Sequence, residues 1–328
     1  MSGSHGSASG KVILFGEHAV VYGVPAIAVG IDRGAWAKTA PGATPGRSTL
    51  HVTGWNARAS DDPSEDSPLG RAFRALIEVT RRDVAVSDVD VEAGADLPPG
   101  GGLGCSAALG VAVARALDPS ASADVVATRA GAWEQVFHGN ASGIDAAVSA
   151  SGGCVLFQRN AGGGRTIEKV VVPAPFHLCV GNSGQASSTK SMVEAVARYR
   201  ERRPEMAAKA FDGIHTLVKN ARLAIEAGDK KAIGQLIDLN QMLLSGLFLS
   251  TPEIEQMCAA ARAAGAYGAK LTGAGGGGSV IALVEGPAEG AAVLAAWKNE
   301  GFDGFLTTFA GDAARARIVA KIELETAP

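Results

Sequence analysis

The stretch Pro98-Pro99-Gly100-Gly101-Gly102-Leu103-Gly104-Cys105-Ser106-Ala107-Ala108 decides the fold of this chain. Four of the five residues from 100 to 104 are glycines, so the backbone there can take positive φ and approach a ligand closely. The apolar run that follows, at about 106–117, predicts a helix. A glycine loop before a helix suits a phosphate group, because the first N–H groups lack partners and the helix dipole is positive there. Taken alone, the stretch equally fits a flexible turn.

The composition excludes several classes of protein. The 328 residues, 47% of them hydrophobic, predict roughly two domains with a large core. Since 30 Lys and Arg against 33 Asp and Glu give a net charge of −3, no basic surface is available for nucleic acid or an anionic membrane. No apolar run reaches the roughly 18 residues that cross a bilayer, and the Ser/Gly-rich start lacks a signal-peptide core, so we expect a cytoplasmic protein.

The cysteines are widely spaced and contain no C-x-x-C pair, which favours buried free thiols over a zinc site or disulfides.

The glycine loop at 100–104 is not one of the two common phosphate-binding types. A dinucleotide fingerprint requires its glycines directly after the first strand, but the expected strand at 11–15 leads into Gly16-Glu17-His18. A Walker A reading of 6–12 has one residue too few between the glycines, and Val12 stands where Ser or Thr would bind metal. A phosphate loop of another type remains.

Strand and helix patterns alternate in the first half of the chain, whereas the second half is mainly helical. Strands are predicted at 11–15, 25–31, 36–39, 50–53, 84–91, 154–158, 167–172, 177–180, 269–272, 279–285, 305–309 and 317–322. Helices are predicted at 69–80, 106–117, 122–138, 143–150, 189–202, 205–227, 230–247, 251–264 and 287–299. The change in character predicts an N-terminal domain at 1–184 and a C-terminal domain at 185–328.

Several polar residues near the glycine loop are candidates for chemistry. Ser106 lies where the loop becomes helix, and a hydroxyl there can bind Mg²⁺ on bound phosphates. Glu134 and Asp145 are eleven residues apart, on either side of a helix end expected at Gly139, and either could bind the metal or accept a hydroxyl proton. Lys11, just before a buried strand, could stabilise an alkoxide. From spacing alone, each charged group fits a solvent-exposed role as well.

Several stretches, in the right order along nearly the whole chain, together resemble the GHMP kinase family. Residues 98–108 look like its phosphate loop, and 270–278 look like its C-terminal glycine motif. Residues 10–23 are similar to its first motif in the form typical of the mevalonate kinase branch, and 138–145 to the stretch that carries the catalytic aspartate. Residues 240–244 with 250–253 also resemble the C-terminal half of that branch.

The resemblance implies a fold, an activity and partners. The fold would be α+β, with an N-terminal ribosomal-protein-S5-like α/β domain and a C-terminal ferredoxin-like, helix-rich domain. The activity would be ATP-dependent phosphorylation of the 5-hydroxyl of mevalonate to 5-phosphomevalonate in isoprenoid precursor synthesis. ATP and Mg²⁺ would be the cofactors, mevalonate and ATP the small-molecule partners, and we expect a homodimer that binds neither nucleic acid nor membrane.

The resemblance also implies roles for individual residues. Asp145 would take the proton from the hydroxyl, with Lys11 beside it, and Ser106 and Glu134 would hold Mg²⁺. Mevalonate would contact Glu17, His18 and Thr189. The nucleotide would lie against two glycine loops, through Pro98, Gly100, Gly101, Gly102, Leu103, Gly104, Cys105, Ser106, Ala107, Gly273, Gly275 and Gly276.

Three positions depart from the family pattern, and some alternatives remain open. Ser9 and Ala141 each replace a proline, and Cys105 replaces a serine, which removes a hydroxyl contact to the nucleotide. The nearest alternative is phosphomevalonate kinase or another GHMP small-molecule kinase. A diphosphomevalonate-type decarboxylase would have a more serine-rich loop. A non-catalytic nucleotide-binding protein would tolerate loss of Lys11 or Asp145, yet both are present.

Overall fold

The computed structural model describes residues 3–98, 101–138, 143–160, 162, 164–185 and 188–309. Its strands are β1 (His5–Phe15), β2 (Ala26–Pro41), β3 (Thr49–Val52), β4 (Ala57–Ser60), β5 (Val89–Ala95), β6 (Cys154–Arg159), β7 (Arg165–Val170), β8 (Phe176–Asn182), β9 (Gly268–Thr272), β10 (Ser279–Val284) and β11 (Asp303–Phe309). Its α-helices are α1 (Pro68–Asp83), α2 (Cys105–Leu117), α3 (Ala123–His138), α4 (Ile144–Ser151), α5 (Thr189–Arg202), α6 (Pro204–Ala227), α7 (Lys230–Gly246), α8 (Pro252–Ala263) and α9 (Pro287–Asn299).

The N-terminal sheet is built around the long strand β2. The sheet has seven strands in the order β4-β3-β5-β2-β6-β7, with β1 also paired to β2. The first part of β2 pairs with β6 and its last part with β5, while β1 pairs along most of its length. The pairs are antiparallel except for β3 with β5. This arrangement confirms the mixed α/β character predicted for the first half of the chain.

Helix α2 is buried within this half. It contacts β1, β2, α3 and α4, and nearly all of its residues are buried. Its sequence is rich in alanine and glycine, so neighbouring elements approach closely. At Gly110, a Cβ would lie 2.8 Å from Cδ1 of Trp133, a residue of α3. The small side chains of α2 therefore fix the distance between the glycine loop at its start and the helix α3 beside it.

The second sheet has four antiparallel strands in the order β11-β8-β10-β9. Helix α7 packs on β9, α8 on β9 and β10, and α9 on β8 and β11. Helix α8 begins as the sequence predicts, with Thr251 accepting a hydrogen bond from the backbone of Ile254 and proline at the first helical position. Gly228 ends α6 in the left-handed conformation, also as predicted.

Side chains of the β9–β10 hairpin join the two sheets. The hydroxyl of Thr272 accepts from the backbone N–H of Ile13 and donates to the Ile13 carbonyl, both at 3.0 Å. The hydroxyl of Ser279 donates to the Gly101 carbonyl at 2.6 Å. Strand β8, which lies before the predicted domain boundary, pairs with β10 and β11. The boundary between 184 and 185 stays a prediction, and the pairing of the second sheet crosses it.

The structure differs from the predicted elements in a few places. Strand β1 begins six residues before position 11, and one continuous strand β2 replaces the two predicted at 25–31 and 36–39. Strand β4 was not predicted, and β5 begins after most of the valine-rich stretch 84–91. The predicted helix end at Gly139 and the strand at 317–322 lie outside the described residues. Helix α4 begins with Gly143 as its N-cap, so the expectation that Ser142 would cap a helix at 143–150 is wrong. Within the described ranges, no helix combines the length and apolar character needed to cross a membrane.

Candidate active site

The glycine loop leads into the start of α2, as the sequence predicts. Gly102 and Gly104 have φ of 72° and 71°, which favours glycine at both positions. Gly104 is the N-cap of α2 and supplies no side-chain cap, so the first N–H groups of the helix are available to an anion. Of the predicted nucleotide contacts, Gly100 lies outside the described residues. The described part of the loop has the geometry of a phosphate site.

Lys11 lies directly against this loop. Its backbone N–H donates to the Leu103 carbonyl at 2.9 Å, and its Nζ donates to the Gly102 carbonyl at 3.0 Å. A Cβ on Gly104 would lie 2.9 Å from Cγ of Lys11, so the close approach requires glycine there. Lys11 also sits at an irregularity in the β1–β2 pairing, between positions 9 and 11. The lysine and the phosphate loop therefore hold each other in place.

The same ammonium group pairs with Asp145. Nζ of Lys11 lies 3.2 Å from Oδ1 of Asp145, in the first turn of α4. The lysine side chain is 4% exposed and that of Asp145 is 32% exposed. A partly solvent-exposed carboxylate next to a buried cation can accept a proton from a bound hydroxyl group. The cation then stabilises the negative charge on the deprotonated hydroxyl oxygen. The structure thus brings together two residues that are 134 positions apart in the sequence.

Ser106 and Glu134 are also brought together. The hydroxyl of Ser106 donates to Oε1 of Glu134 at 2.7 Å and accepts from Nε1 of Trp133 at 3.2 Å. Burial, and next the negative charge of Asp145, raise the pKa of Glu134 to about 7, against the opposing effects of Ser106 and Lys11. The serine hydroxyl and the carboxylate offer the oxygen ligands that Mg²⁺ takes in proteins.

The second glycine loop, between β9 and β10, closes the other side of the site. Gly273, Gly275 and Gly276 have φ of 88°, 72° and 67°. A Cβ on Gly275 would lie 2.4 Å from the Leu249 carbonyl oxygen, which accepts from the N–H of Gly276 at 2.7 Å. The bond from Ser279 to Gly101 holds the two glycine loops together. The loops that the sequence places about 170 residues apart therefore form one site.

His18 reaches the second glycine loop from the N-terminal side. Its Nε2 lies 2.7 Å from the Ala274 carbonyl oxygen, so Nε2 carries the proton and donates it. Burial lowers the pKa of His18, and the bond to the carbonyl opposes this effect only in part. The neutral ring then keeps Nδ1 as a hydrogen-bond acceptor.

Glu17 and Thr189 are placed differently from each other. Glu17 is 1% exposed, and its two carboxylate oxygens bind within the protein: Oε1 forms an ion pair with Nζ of Lys270, and Oε2 accepts from Nδ2 of Asn240 at 3.1 Å. Thr189 is exposed at the first position of α5. Direct contact of mevalonate with either residue stays a prediction, and for Glu17 it would require the internal bonds to rearrange.

Sequence reasoning missed Lys270 and Asn240 as partners of this site. Both lie in stretches that resemble the family, but neither was assigned a role. The available signal was a lysine in a short strand, Gly268–Thr272, whose residues are otherwise apolar or small. A charged side chain in such a strand is rarely buried without a partner, so it points to an acidic residue elsewhere.

Cys105 turns away from the loop. Its side chain is buried in the core, with Sγ donating to the Leu97 carbonyl at 3.8 Å, and burial raises the pKa of the thiol to about 11. The side chain is therefore part of the packing beneath α2. Any contact of this residue with a nucleotide would be made by its backbone.

Comparison with known proteins agrees with this geometry. The family model described as the GHMP kinases N terminal domain matches residues 69–153, and the one described as GHMP kinases C terminal matches 221–303. A mevalonate kinase from Methanothermobacter thermautotrophicus is 35% identical over 285 residues, which cover 85% of this chain and 89% of that protein. A mevalonate kinase from Thermococcus sibiricus is 36% identical over 299 residues, which cover 84% and 88%.

A solved structure is similar over almost the whole chain. The crystal structure of L. major mevalonate kinase in complex with R-mevalonate superposes with a TM-score of 0.80 at 28% identity, covering 95% of this chain and 96% of that one. The two-domain GHMP kinase fold predicted from the sequence is thereby confirmed. With the matches on both halves and the identity to full-length relatives, the chain belongs to the mevalonate kinase family of the GHMP kinases.

Proposed function

We propose that this protein transfers the γ-phosphoryl group of ATP to the 5-hydroxyl of mevalonate. The observation that carries the proposal is the Lys11–Asp145 ion pair, which lies against the glycine loop at Gly102. The names of the relatives, and the mevalonate bound in the L. major structure, support the choice of mevalonate as acceptor. A non-catalytic nucleotide-binding protein would have no need for this proton acceptor and its buried cation.

In the proposed reaction, Asp145 and Lys11 act on the acceptor hydroxyl. The open carboxylate of Asp145 takes the proton as the oxygen attacks the phosphorus atom. The ammonium of Lys11, held by the Gly102 carbonyl, lies where it stabilises the negative charge that develops on that oxygen. Because Lys11 is bonded to both the loop and Asp145, it also sets the distance between the phosphate site and the base.

The start of α2 and the two glycine loops would bind the phosphates of ATP. The residues suited to Mg²⁺ are Ser106 and Glu134, since both offer oxygen and the two oxygens lie 2.7 Å apart at the start of α2. Among the described residues no cluster of three or more His, Cys, Asp or Glu is suited to a metal, so the site offers few protein ligands. That set fits Mg²⁺, which takes one or two carboxylates plus phosphate oxygens and neutralises phosphate charge when bound.

The experiment that tests this function is an assay of ADP release coupled to NADH oxidation, with mevalonate, phosphomevalonate, homoserine and galactose compared side by side. Mevalonate should give the highest kcat/KM by a wide margin. Faster turnover of phosphomevalonate, or no turnover of any of the four, would refute the proposal. We also propose that the protein is a cytoplasmic homodimer. Analytical ultracentrifugation should find the dimer.

A matched pair of variants tests the proposed base. Asp145→Asn should fold normally and lose turnover by about 10²–10⁴-fold, the usual contribution of a positioned general base. Asp124→Asn removes a carboxylate from the exposed start of α3 and should leave kcat unchanged. If Asp145→Asn keeps near-normal turnover, the assignment of Asp145 is wrong.

A further inference from the structure

The backbone at His18 is strained. Its φ of 59° and ψ of −46° lie close to the values of a classic γ-turn, roughly +75° and −65°. The N–H of Ala19 donates to the Glu17 carbonyl at 2.6 Å across this turn, which is the hydrogen bond that defines it. Such turns are rare for a residue with a side chain, and they persist only where the surroundings hold them. Something around His18 must therefore keep the turn in place.

The residue before the turn is held by the other sheet. The carboxylate of Glu17 binds Lys270 of β9 through one oxygen and Asn240 of α7 through the other. The side chains of Glu17 and Lys270 are both fully buried. Nζ of Lys270 also donates to the Leu271 carbonyl at 2.6 Å. Burial of two charges costs more than their attraction returns unless the geometry is exact and the remaining bonds are made, so a pair in this position needs a reason beyond stability.

The same segment of chain holds the residue after Glu17. His18 donates to the Ala274 carbonyl, and Ala274 follows Lys270 by four positions along β9 and the glycine loop. Lys270 and Ala274 thus bind two consecutive residues of the γ-turn, one through a side chain and one through the backbone. The strand position of Lys270 is itself fixed, because the N–H of Leu271 donates to Oε1 of Gln241, the neighbour of Asn240, at 2.9 Å.

The hydrogen bonding of Asn240 also indicates that this residue holds Glu17. Its Nδ2 donates to Glu17, yet its Oδ1 is buried and has no hydrogen-bond partner among the residues that the structure describes. A buried amide oxygen without a partner destabilises the fold, so an apolar residue of similar shape would be better for packing alone. The amide is placed to hold Glu17.

We infer that Lys270 and Asn240 are positioning residues for the acceptor site: by holding Glu17 they maintain the γ-turn that fixes the imidazole of His18 on the Ala274 carbonyl. They act through Glu17 and His18 and need not touch the substrate. This inference rests on the proposed function, together with the contact between His18 and mevalonate that the family resemblance implies. It also revises the predicted role of Glu17, which holds the turn in place of contacting mevalonate directly.

The test replaces the ion pair with neutral residues of similar size, Glu17→Gln together with Lys270→Met. This double variant leaves no unpaired buried charge, so it should remain folded. We expect KM for mevalonate to rise about tenfold or more with KM for ATP within about twofold, since a small misplacement of a site group lowers acceptor binding selectively. The matched control is Arg129→Met with Asp118→Asn, which removes another buried ion pair and should leave both KM values unchanged. The other partner of Arg129, Asp83, has an exposed side chain, so the control also leaves no unpaired buried charge.

Imidazole nitrogen NMR supplies a readout that does not depend on activity. In the unaltered protein the His18 signal, assigned by its loss in His18→Asn, should show a neutral ring protonated at Nε2. In the double variant it should show exchange between tautomers. An unchanged His18 signal together with unchanged KM values would overturn the inference, and an equal rise in both KM values would show a purely structural pair.

Two further outcomes keep the proposals separate. If the double variant does not fold, Asn240→Ala removes one of the two contacts to Glu17 and should raise KM for mevalonate by about threefold and shift the same His18 signal; no change in either would overturn the inference. If the unaltered protein fails to phosphorylate mevalonate, the proposed function is wrong, whereas the NMR comparison still decides whether Lys270 and Asn240 set the His18 ring.

Discussion

Replacing Glu134 with glutamine should make the protein more stable and less active. The change keeps the size of the side chain and an oxygen that can accept from Ser106, but it removes a charge that is buried at 3% exposure. The pKa of Glu134 is raised from 4.5 to about 7 in the folded protein, so the folded state holds this proton more tightly than the unfolded state does. The contribution of Glu134 to the free energy of unfolding therefore falls as the pH rises from 4.5 to 7, and this contribution is constant on either side of that window.

The size of the effect follows from the shift. At about 1.4 kcal/mol per pKa unit, the ionised carboxylate costs the folded state about 3 kcal/mol at pH 8 and about 1 kcal/mol at pH 5. Glu134→Gln should therefore raise the free energy of unfolding by up to these amounts at the two pH values. Burial is the largest cause of the shift, followed by the charge of Asp145, and both causes disappear in the neutral variant.

The measurement is urea unfolding at pH 5, 6, 7 and 8, followed by tryptophan fluorescence, to which Trp133 beside Ser106 contributes. Asp124→Asn on the same helix is the control, and its difference from the unaltered protein should be the same at each pH. In parallel, kcat with Mg²⁺ and ATP should fall at least about tenfold in Glu134→Gln, since a group kept at a cost in stability is expected to serve function. A stability difference that does not grow between pH 5 and 8 would refute the reasoning.

Other predictions concern the loop and its neighbours. Ser106→Ala should raise KM for Mg·ATP more than KM for mevalonate, and unchanged values for both would refute a metal role. Gly104→Ala should lower the free energy of unfolding by about 1–2 kcal/mol through backbone strain. It should also lower kcat, because the new Cβ would lie 2.9 Å from the Lys11 side chain. The control Gly131→Ala places its Cβ in open space and should not lower the free energy of unfolding in urea. With the pKa of its thiol raised to about 11, Cys105 should react with a disulfide reagent at pH 8 about 100-fold more slowly in the folded protein than in urea.

The helices and the phosphate loop could be predicted because their signals are local. The patterns that predict helices at 106–117, 205–227 and 251–264 each lie within one helix, and all three helices appear in the structure as α2, α6 and α8. The strands were less predictable. The start of β1 reads as a Ser/Gly-rich tail, and β4 is Ala-Arg-Ala-Ser, with low strand propensity; both form because partners β2 and β3 pair with them.

The candidate site was predictable only as separate residues. Resemblance to the family supplied roles for Lys11, Ser106 and Glu134, and the structure brings them to one place. The sequence indicated that Lys270 needs an acidic partner, but not that this partner is Glu17, which is 253 positions away. Pairing at such a separation depends on the assembled topology, which local patterns do not encode.

The distance between Glu17 and Lys270 along the chain also matters during synthesis. At about 5–20 residues per second, the lysine is added roughly 10–50 s after the glutamate, long after the strands of the first sheet have left the ribosome. Throughout that interval Glu17 lacks Lys270, and the Ala274 carbonyl that binds His18 is added later still. The side-chain and backbone contacts that hold the γ-turn are therefore complete only after the final third of the polypeptide has been made.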